Sequence, residues 1–248
     1  MAREMLLPIV FLPLAAVLQV SLAQGEKSFV LGLSKQQQQE IVDAYNAARR
    51  AVQPTASNML KMEWSERAAE SAKRWAAECQ GRASLLKNRY VDDILCGESI
   101  SQSNFARSWA EVIGFWNSSH SKFIYGKSMT EELWRKVLPY TQMVWYNSNE
   151  IGCAYAFCPL QETFTHFYVC RFCPTGNILE MLPKPYKEGP TCGDCPNNCD
   201  NKLCTNPCKY KNEYSAEQCA ETLNNFGCET DFVQKKCKAS CDCKTEIV

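Results

Sequence analysis

The sequence predicts an α+β domain followed by a small region held by disulfide bonds. Stretches with helical periodicity come first and β-rich stretches come later, which favours helices packed on an antiparallel sheet. Ten of the 16 cysteines lie in the last quarter of the chain, from Cys192 onward. A region that short cannot bury a sufficient core and needs covalent cross-links.

Composition excludes several classes of function. The chain has 248 residues, of which 46% are hydrophobic and 22% are charged, as in ordinary globular proteins. Basic and acidic residues balance at 27 each, so no bulk field draws the chain to nucleic acid, and we expect no nucleic-acid partner. The 2 histidines leave little room for histidine-based catalysis or metal binding.

The first 23 residues have the pattern of a secretory signal peptide. Arg3 precedes an apolar stretch at residues 6–18, and Ser21 and Ala23 are small residues at positions −3 and −1 of a cleavage site. A membrane anchor is the alternative, but the stretch holds two prolines and no later stretch reaches the ~18 apolar residues of a span. We therefore expect a secreted, extracellular protein with paired cysteines.

Three amphipathic helices are predicted next. Ser34 and Gln37 form an N-terminal capping pattern, Pro54 stops the first run, and Ser65 starts the second helix. The three apolar stripes are Ile41, Tyr45, Ala48 and Val52; then Ala68, Ala72, Trp75, Ala76 and Cys79; then Phe105, Trp109, Val112, Ile113 and Trp116. We interpret their aromatic residues as core.

After Pro139 the pattern changes to β-rich. Residues 141–145, 151–157 and 164–170 are predicted strands bounded by turn residues. Prolines and glycines from Pro174 onward predict a linker, and short helical fragments such as residues 215–224 follow Cys208.

The cysteine spacing admits one alternative to disulfides. The pairs Cys170/Cys173 and Cys192/Cys195 are separated by 18 residues, which also fits a zinc ribbon. Export and the many cysteines downstream favour disulfides instead.

Five motifs together resemble the cysteine-rich secretory proteins (CRISPs) of the CAP superfamily. They lie at residues 58–64, 96–98, 140–145, 167–177 and 203–208, and include Cys96-Gly97-Glu98 and Tyr140-Thr141-Gln142. The resemblance implies an α-β-α sandwich CAP domain at 24–177, a linker and disulfide-rich hinge at 178–207, and a small helical domain at 208–248. That last domain is similar to the ShK-type potassium-channel toxins of sea anemones.

The resemblance also implies a disulfide pairing, which the sequence by itself does not select. The implied pairs are Cys79–Cys158, Cys96–Cys173, Cys153–Cys170, Cys192–Cys199, Cys195–Cys204, Cys208–Cys243, Cys219–Cys237 and Cys228–Cys241.

Many CAP domains hold a divalent metal in a cleft with two histidines and two glutamates. The glutamates match Glu98 and Glu111 here, whereas the histidine positions hold Ala83 and Pro139. Two carboxylates alone are a poor zinc site. We interpret His120 and His166 as surface or packing residues, and we expect no metal and no other cofactor. We also expect no enzymatic activity, since all cysteines have expected partners and none is left as a thiol nucleophile.

The resemblance implies a binding role, with the protein expected to be a monomer and to span no membrane. An ion channel is one expected partner, through the C-terminal domain and the group Phe232, Lys235, Lys236 and Lys238, although a plain solvated cluster also explains these lysines. Lys209-Tyr210-Lys211 offers similar chemistry at the entrance of that domain. A gamete-surface protein is the other expected partner, in sperm maturation and sperm–egg interaction.

The second role points to residues 111–121, which contain the glycosylation sequon Asn117-Ser118-Ser119. A venom-type channel blocker and a sterol- or lipid-binding CAP protein are the alternatives that the family allows.

Overall fold

The computed structural model describes residues 28–248, so the predicted signal peptide lies outside the described residues. The helices are α1 (Lys35–Arg50), α2 (Glu66–Ala77), α3 (Trp109–Asn117), α4 (Glu131–Met143), α5 (Ala216–Phe226), α6 (Asp231–Lys236) and α7 (Lys238–Asp242). The strands are β1 (Phe29–Leu31), β2 (Glu63–Trp64), β3 (Tyr90–Val91), β4 (Ile94–Leu95), β5 (Gly97–Ser103), β6 (Glu150–Phe157), β7 (His166–Cys173), β8 (Cys199–Asp200) and β9 (Leu203–Cys204).

The first domain is an α-β-α sandwich, as expected. Its sheet has the antiparallel order β1-β6-β7-β5, with β2 added in parallel to β6. Because side chains alternate along β7, Phe172 packs with α1, α3 and α4 on one face, and Val169 packs with α2 on the other. Gly152 in β6 allows α2 to approach closely, since a Cβ there would lie 1.9 Å from the Ala69 nitrogen.

The predicted helix starts are confirmed. Ser34 and Gln37 form a capping box on α1, and the Ser65 side chain accepts a hydrogen bond from the Ala68 amide at the start of α2. The third predicted stripe begins too early, because Ser108 caps α3 and Phe105 lies before it with 60% of its surface exposed.

The prediction of a strand at residues 141–145 is wrong. Thr141 lies in the last turns of α4, where its hydroxyl donates to Asn177 Oδ1 at 2.7 Å and lies 3.3 Å from the Val137 and Leu138 carbonyls. Pro139 is inside this helix. Val137, Tyr140 and Thr141 recur at helical spacing and are buried, so tertiary packing overrides the β-rich composition. The other two predicted strands correspond to β6 and β7.

All sixteen cysteines are in disulfide bonds, and the eight bonds join the pairs implied by the resemblance. The Sγ atoms of Cys192, Cys195 and Cys204 lie within 4.8 Å of one another. Cys192 pairs with Cys199 and Cys195 with Cys204, so these sulfurs are not the free thiolates that a zinc site needs.

The cysteine-rich region packs on the sandwich through a small apolar cluster. Leu60 lies with Cys204 and Ile247, and the Lys61 amide donates to the Cys204 carbonyl at 2.8 Å. Further along, α5, α6 and α7 surround a core of Cys219, Val233, Cys237 and Cys241. Within residues 28–248, no helix is both long and apolar enough to cross a membrane.

Candidate functional site

A cleft of about 470 Å³ lies where the CAP resemblance places the metal site. Ala83, Glu98 and Pro139 all line it, so the structure brings these three positions together. The rest of its wall combines polar residues with a large apolar surface, which includes Leu86, Ile100, Trp116, Trp134 and Leu138. The cleft therefore presents hydrocarbon at both positions where a histidine would be expected.

Glu98 is the one carboxylate in the wall, and its ligand capacity is already used. The side chain is 2% exposed and forms an ion pair with Arg171, which is fully buried. Its two oxygens also accept hydrogen bonds from the Ser84 amide and hydroxyl at 2.8 Å each, and Arg89 lies 3.5 Å away. Burial lowers the pKa of Arg171, and the charge of Glu98 opposes that shift.

Glu111 does not belong to this cleft, which corrects the expectation from the sequence. It is the third residue of α3, it is exposed, and its carboxylate accepts from the Ser108 amide at 2.7 Å and the Ser108 hydroxyl at 2.8 Å. These bonds, the amide bond first, lower the pKa of Glu111. Trp116 is the α3 residue that lines the cleft.

The residues present do not fit a bound zinc ion. Ala83 and Pro139 offer no ligand atom, and binding through Glu98 would require breaking its bonds to Arg171 and Ser84. The two histidines lie elsewhere. His120 is exposed after α3, and the Nδ1 of His166 lies 2.6 Å from the Tyr155 hydroxyl, where burial lowers the pKa of His166.

Sequence reasoning missed the cation that neutralises Glu98. A signal was present, because Arg171 directly follows the predicted strand at residues 164–170 and lies between Cys170 and Phe172, and a buried arginine requires acceptors. What the sequence does not show is the register, in which Glu98 of β5 lies directly opposite Arg171 of β7.

The group of four residues predicted for channel contact is divided by the structure. Phe232 and Lys235 are both exposed, and their spacing of three residues places them on the same face of α6. Lys236 instead pairs with Glu213 and lies 5.7 Å from the Tyr214 ring, which packs edge-on against Phe232.

Lys238 lies in a different cluster. Its Nζ is 4.4 Å from the centre of the Tyr210 ring and 2.8 Å from the Asp242 carboxylate. Lys209 lies 5.0 Å from the same ring. Lys211 donates to the Asp93 carbonyl of the sandwich at 3.3 Å. It therefore connects the C-terminal region to the sandwich and does not belong to the cluster around the Tyr210 ring.

Residues 111–121 form most of α3 and the turn after it. Phe115 and His120 are exposed there, and Asn117 of the sequon is half-buried at the end of the helix. The outward side of this segment is therefore accessible, while Val112 and Trp116 pack into the core.

The sandwich, its cleft and the disulfide-rich C-terminal region define a CAP protein with a cysteine-rich module. A family model described as "Cysteine-rich secretory protein family" matches residues 42–172, and a second model, "Crisp", matches residues 192–248. The first match covers more than half of the chain, so the chain belongs to the cysteine-rich secretory protein family. This membership and the eight disulfides are typical of secreted proteins.

Solved structures share the fold. NaASP2, whose crystal structure was determined with Zn²⁺, is 24% identical, has a TM-score of 0.60, and the match covers 70% of this chain and 97% of that one. Na-ASP-1 is 25% identical with a TM-score of 0.59 over 70% of this chain, which spans about half (48%) of its length. BmVAL-1 is 26% identical with a TM-score of 0.55, over 69% of this chain and 91% of that one.

Proposed function

We propose that this protein is a secreted binding protein whose C-terminal domain, residues 208–248, regulates an ion channel. The observation that supports this most is the exposed pair Phe232 and Lys235 on α6. The Phe232 ring is held by an edge-on contact with the Tyr214 ring. An aromatic side chain beside a cation is a common contact for a protein partner.

The scaffold suits such a role because it is already ordered before binding. Three disulfides, Cys208–Cys243, Cys219–Cys237 and Cys228–Cys241, hold the three C-terminal helices. A rigid surface loses little conformational entropy when it meets a partner. Lys235 has no carboxylate within 4 Å among the described residues, whereas Lys236 and Lys238 are paired. Lys235 is thus the lysine of the predicted group with a charge free for a partner.

Electrophysiology with the full chain tests the proposal. We expect the protein to change currents through a calcium, ryanodine-receptor or potassium channel, and Phe232→Ala/Lys235→Gln to weaken the effect at least about tenfold, as for loss of a contact of ~1.4 kcal/mol. Phe226→Ala/Lys244→Gln removes a second exposed aromatic residue and lysine of the same domain and is the matched control. Equal loss in both variants, or no effect of the wild type on any of these channels, would contradict the proposal.

The proposal includes the absence of catalysis. Glu98 is engaged by Arg171, Glu111 lies outside the cleft, and every cysteine sulfur is in a disulfide. A paired-carboxylate or thiol mechanism needs two free groups at one place. Peptidase or glycosidase turnover by the purified protein, abolished in Glu98→Gln, would contradict this part.

A second candidate function is adhesion to a gamete surface through residues 111–121, in sperm maturation or sperm–egg interaction. The exposed ring of Phe115 and the sequon at Asn117 support it. In a gamete-binding assay we expect Phe115→Ala to reduce binding and Leu160→Ala, an equally exposed apolar residue, to leave it unchanged. Binding unaffected by either variant would rule out this segment.

A further inference from the structure

A second groove, of about 700 Å³, adjoins the cleft on the other side of the segment 83–89. It lies between the end of α2 and residues 80–90, and its wall includes Arg74, Trp75, Arg82, Leu85, Lys87 and Tyr90. We propose that this groove binds a sulfated glycan, the linear polyanion of the extracellular matrix and of cell surfaces.

The groove carries an unbalanced positive charge. Among the described residues, no carboxylate lies within 4 Å of Arg74, Arg82 or Lys87, and the wall contains one acidic residue, Glu78. The side chains of the three cations and of Glu78 are all exposed. Cations that line one groove without counterions repel each other, and this repulsion is relieved when a polyanion binds.

The neighbouring cleft adds to the positive field. Arg89 and Arg171 share the single carboxylate of Glu98, so they contribute a net positive charge behind the groove. Burial is the main cause that lowers the pKa of Arg171, and the charges of Arg89 and Arg74 lower it further, so the cations of the cleft and the groove act on one another. The chain is neutral as a whole, so this is a local patch and not a property of the composition.

The shape and chemistry of the wall suit a chain of sugars. Trp75 and Tyr90 offer flat rings on which the apolar faces of sugar rings pack. Leu85 is 65% exposed and Tyr90 is 49% exposed, so the groove has open sides. An acyl chain requires an enclosed apolar channel, whereas a sulfated chain lies in an open groove and keeps its hydroxyls in water.

The wall of the groove is held rigidly. The Cys79–Cys158 and Cys96–Cys173 disulfides hold the two ends of the segment that forms one wall. The Trp75 indole donates to the Arg82 carbonyl at 3.0 Å, and the Arg171 guanidinium donates to the Asn88 carbonyl at 3.3 Å. The backbone that carries the cations is therefore fixed before a ligand arrives, which reduces the entropic cost of binding.

Calorimetric titration of the full chain with a short heparin oligosaccharide tests the proposal. We expect saturable binding that weakens as salt rises, and the variant Arg74→Gln/Arg82→Gln/Lys87→Gln to lose affinity by about tenfold to a hundredfold, as for three exposed charge contacts. Lys122→Gln/Lys127→Gln/Lys184→Gln removes three other exposed lysines and is the matched control, expected to bind as the wild type does.

Several outcomes would overturn the inference. They are no binding by the wild type, equal losses in the two triple variants, or equal affinity for the desulfated oligosaccharide. Vesicles of phosphatidylserine form a further arm. If the groove variant loses vesicle binding and keeps heparin binding, the ligand is a lipid headgroup and the assignment to a glycan is wrong. The channel and gamete assays use other surfaces, so their results do not decide this one.

Discussion

Glu98 and Arg171 lie directly opposite each other on β5 and β7 and form a buried ion pair at the base of the CAP cleft. The Ser84 amide and hydroxyl complete the shell around the carboxylate. Ala83 and Pro139 stand at the two expected histidine positions, so the cleft holds a buried salt bridge and no imidazole ligand. The site is thereby suited to holding the fold together and not to holding a metal.

Breaking this pair from one side should destabilise the domain strongly. Glu98→Gln leaves the Arg171 charge buried without a counterion, for which we expect a loss of about 3–5 kcal/mol in the free energy of unfolding. Urea denaturation measures it. The double variant Glu98→Gln/Arg171→Met removes both charges and should recover part of the loss. A single variant within about 0.5 kcal/mol of wild type would show that the pair does not stabilise the fold.

Arg49 should be as important to stability, for a different reason. It is buried on α1, and its guanidinium donates to the carbonyls of Leu60, Met143, Trp145 and Tyr146 at 2.8–3.0 Å. Burial lowers the pKa of Arg49 to about 9, so the side chain is charged at neutral pH.

Arg49→Met would remove the guanidinium donor from these four carbonyls, of which Trp145 and Tyr146 keep an amide donor. Because four hydrogen bonds of a buried guanidinium are lost, we expect a loss of at least about 3 kcal/mol, measured by urea denaturation. The exposed Lys73→Gln on α2 is the control and should cost less than about 0.5 kcal/mol. Equal stability of the two variants would show that water replaces the guanidinium without cost.

The disulfides should differ in importance between the two parts of the chain. In the C-terminal domain, Cys219 and Cys237 make up much of a core that holds little else besides Val233 and Cys241. Cys219→Ala/Cys237→Ala should lose about 3 kcal/mol and unfold α5 to α7 while the sandwich stays folded, as read by amide NMR signals. Cys153→Ala/Cys170→Ala lies within the large core of the sandwich and should leave both parts folded. Retained α5 signals in the first variant would contradict this account.

The capping box of α3 predicts a pH dependence. Hydrogen bonds from Ser108 lower the pKa of Glu111, so the folded state holds the carboxylate charged more readily than the unfolded chain does. Its contribution to stability is present above the ordinary glutamate pKa and is lost as pH falls through the lowered value. NMR titration should find the Glu111 pKa below that of an unstructured glutamate. Ser108→Ala removes the hydroxyl bond and keeps the amide bond, so it should raise this pKa only part of the way. An unchanged pKa in Ser108→Ala would exclude a contribution from the hydroxyl.

Local signals made much of the fold predictable. Ser34 with Gln37, and Ser65, mark helix starts because a cap depends on residues three apart. The strand predicted at residues 141–145 was wrong because its β-rich composition competes with packing that only the folded chain supplies.

The site was predictable only in part. The resemblance placed Ala83, Glu98 and Pro139 in one cleft, and the structure agrees. It misplaced Glu111, since the face that a helical residue presents depends on how the helix packs. The partner of Glu98 is 73 residues away, and only the strand register reveals it.

Calorimetric titration of the purified protein with zinc decides whether the cleft retains a metal site. We predict no stoichiometric binding at micromolar zinc, and the same result for Glu98→Gln. A gain of binding on introducing Ala83→His/Pro139→His together with Arg171→Gln would agree with this account, because it restores ligands and frees the carboxylate. A 1:1 zinc complex of the wild-type protein at micromolar concentration, lost in Glu98→Gln, would contradict it.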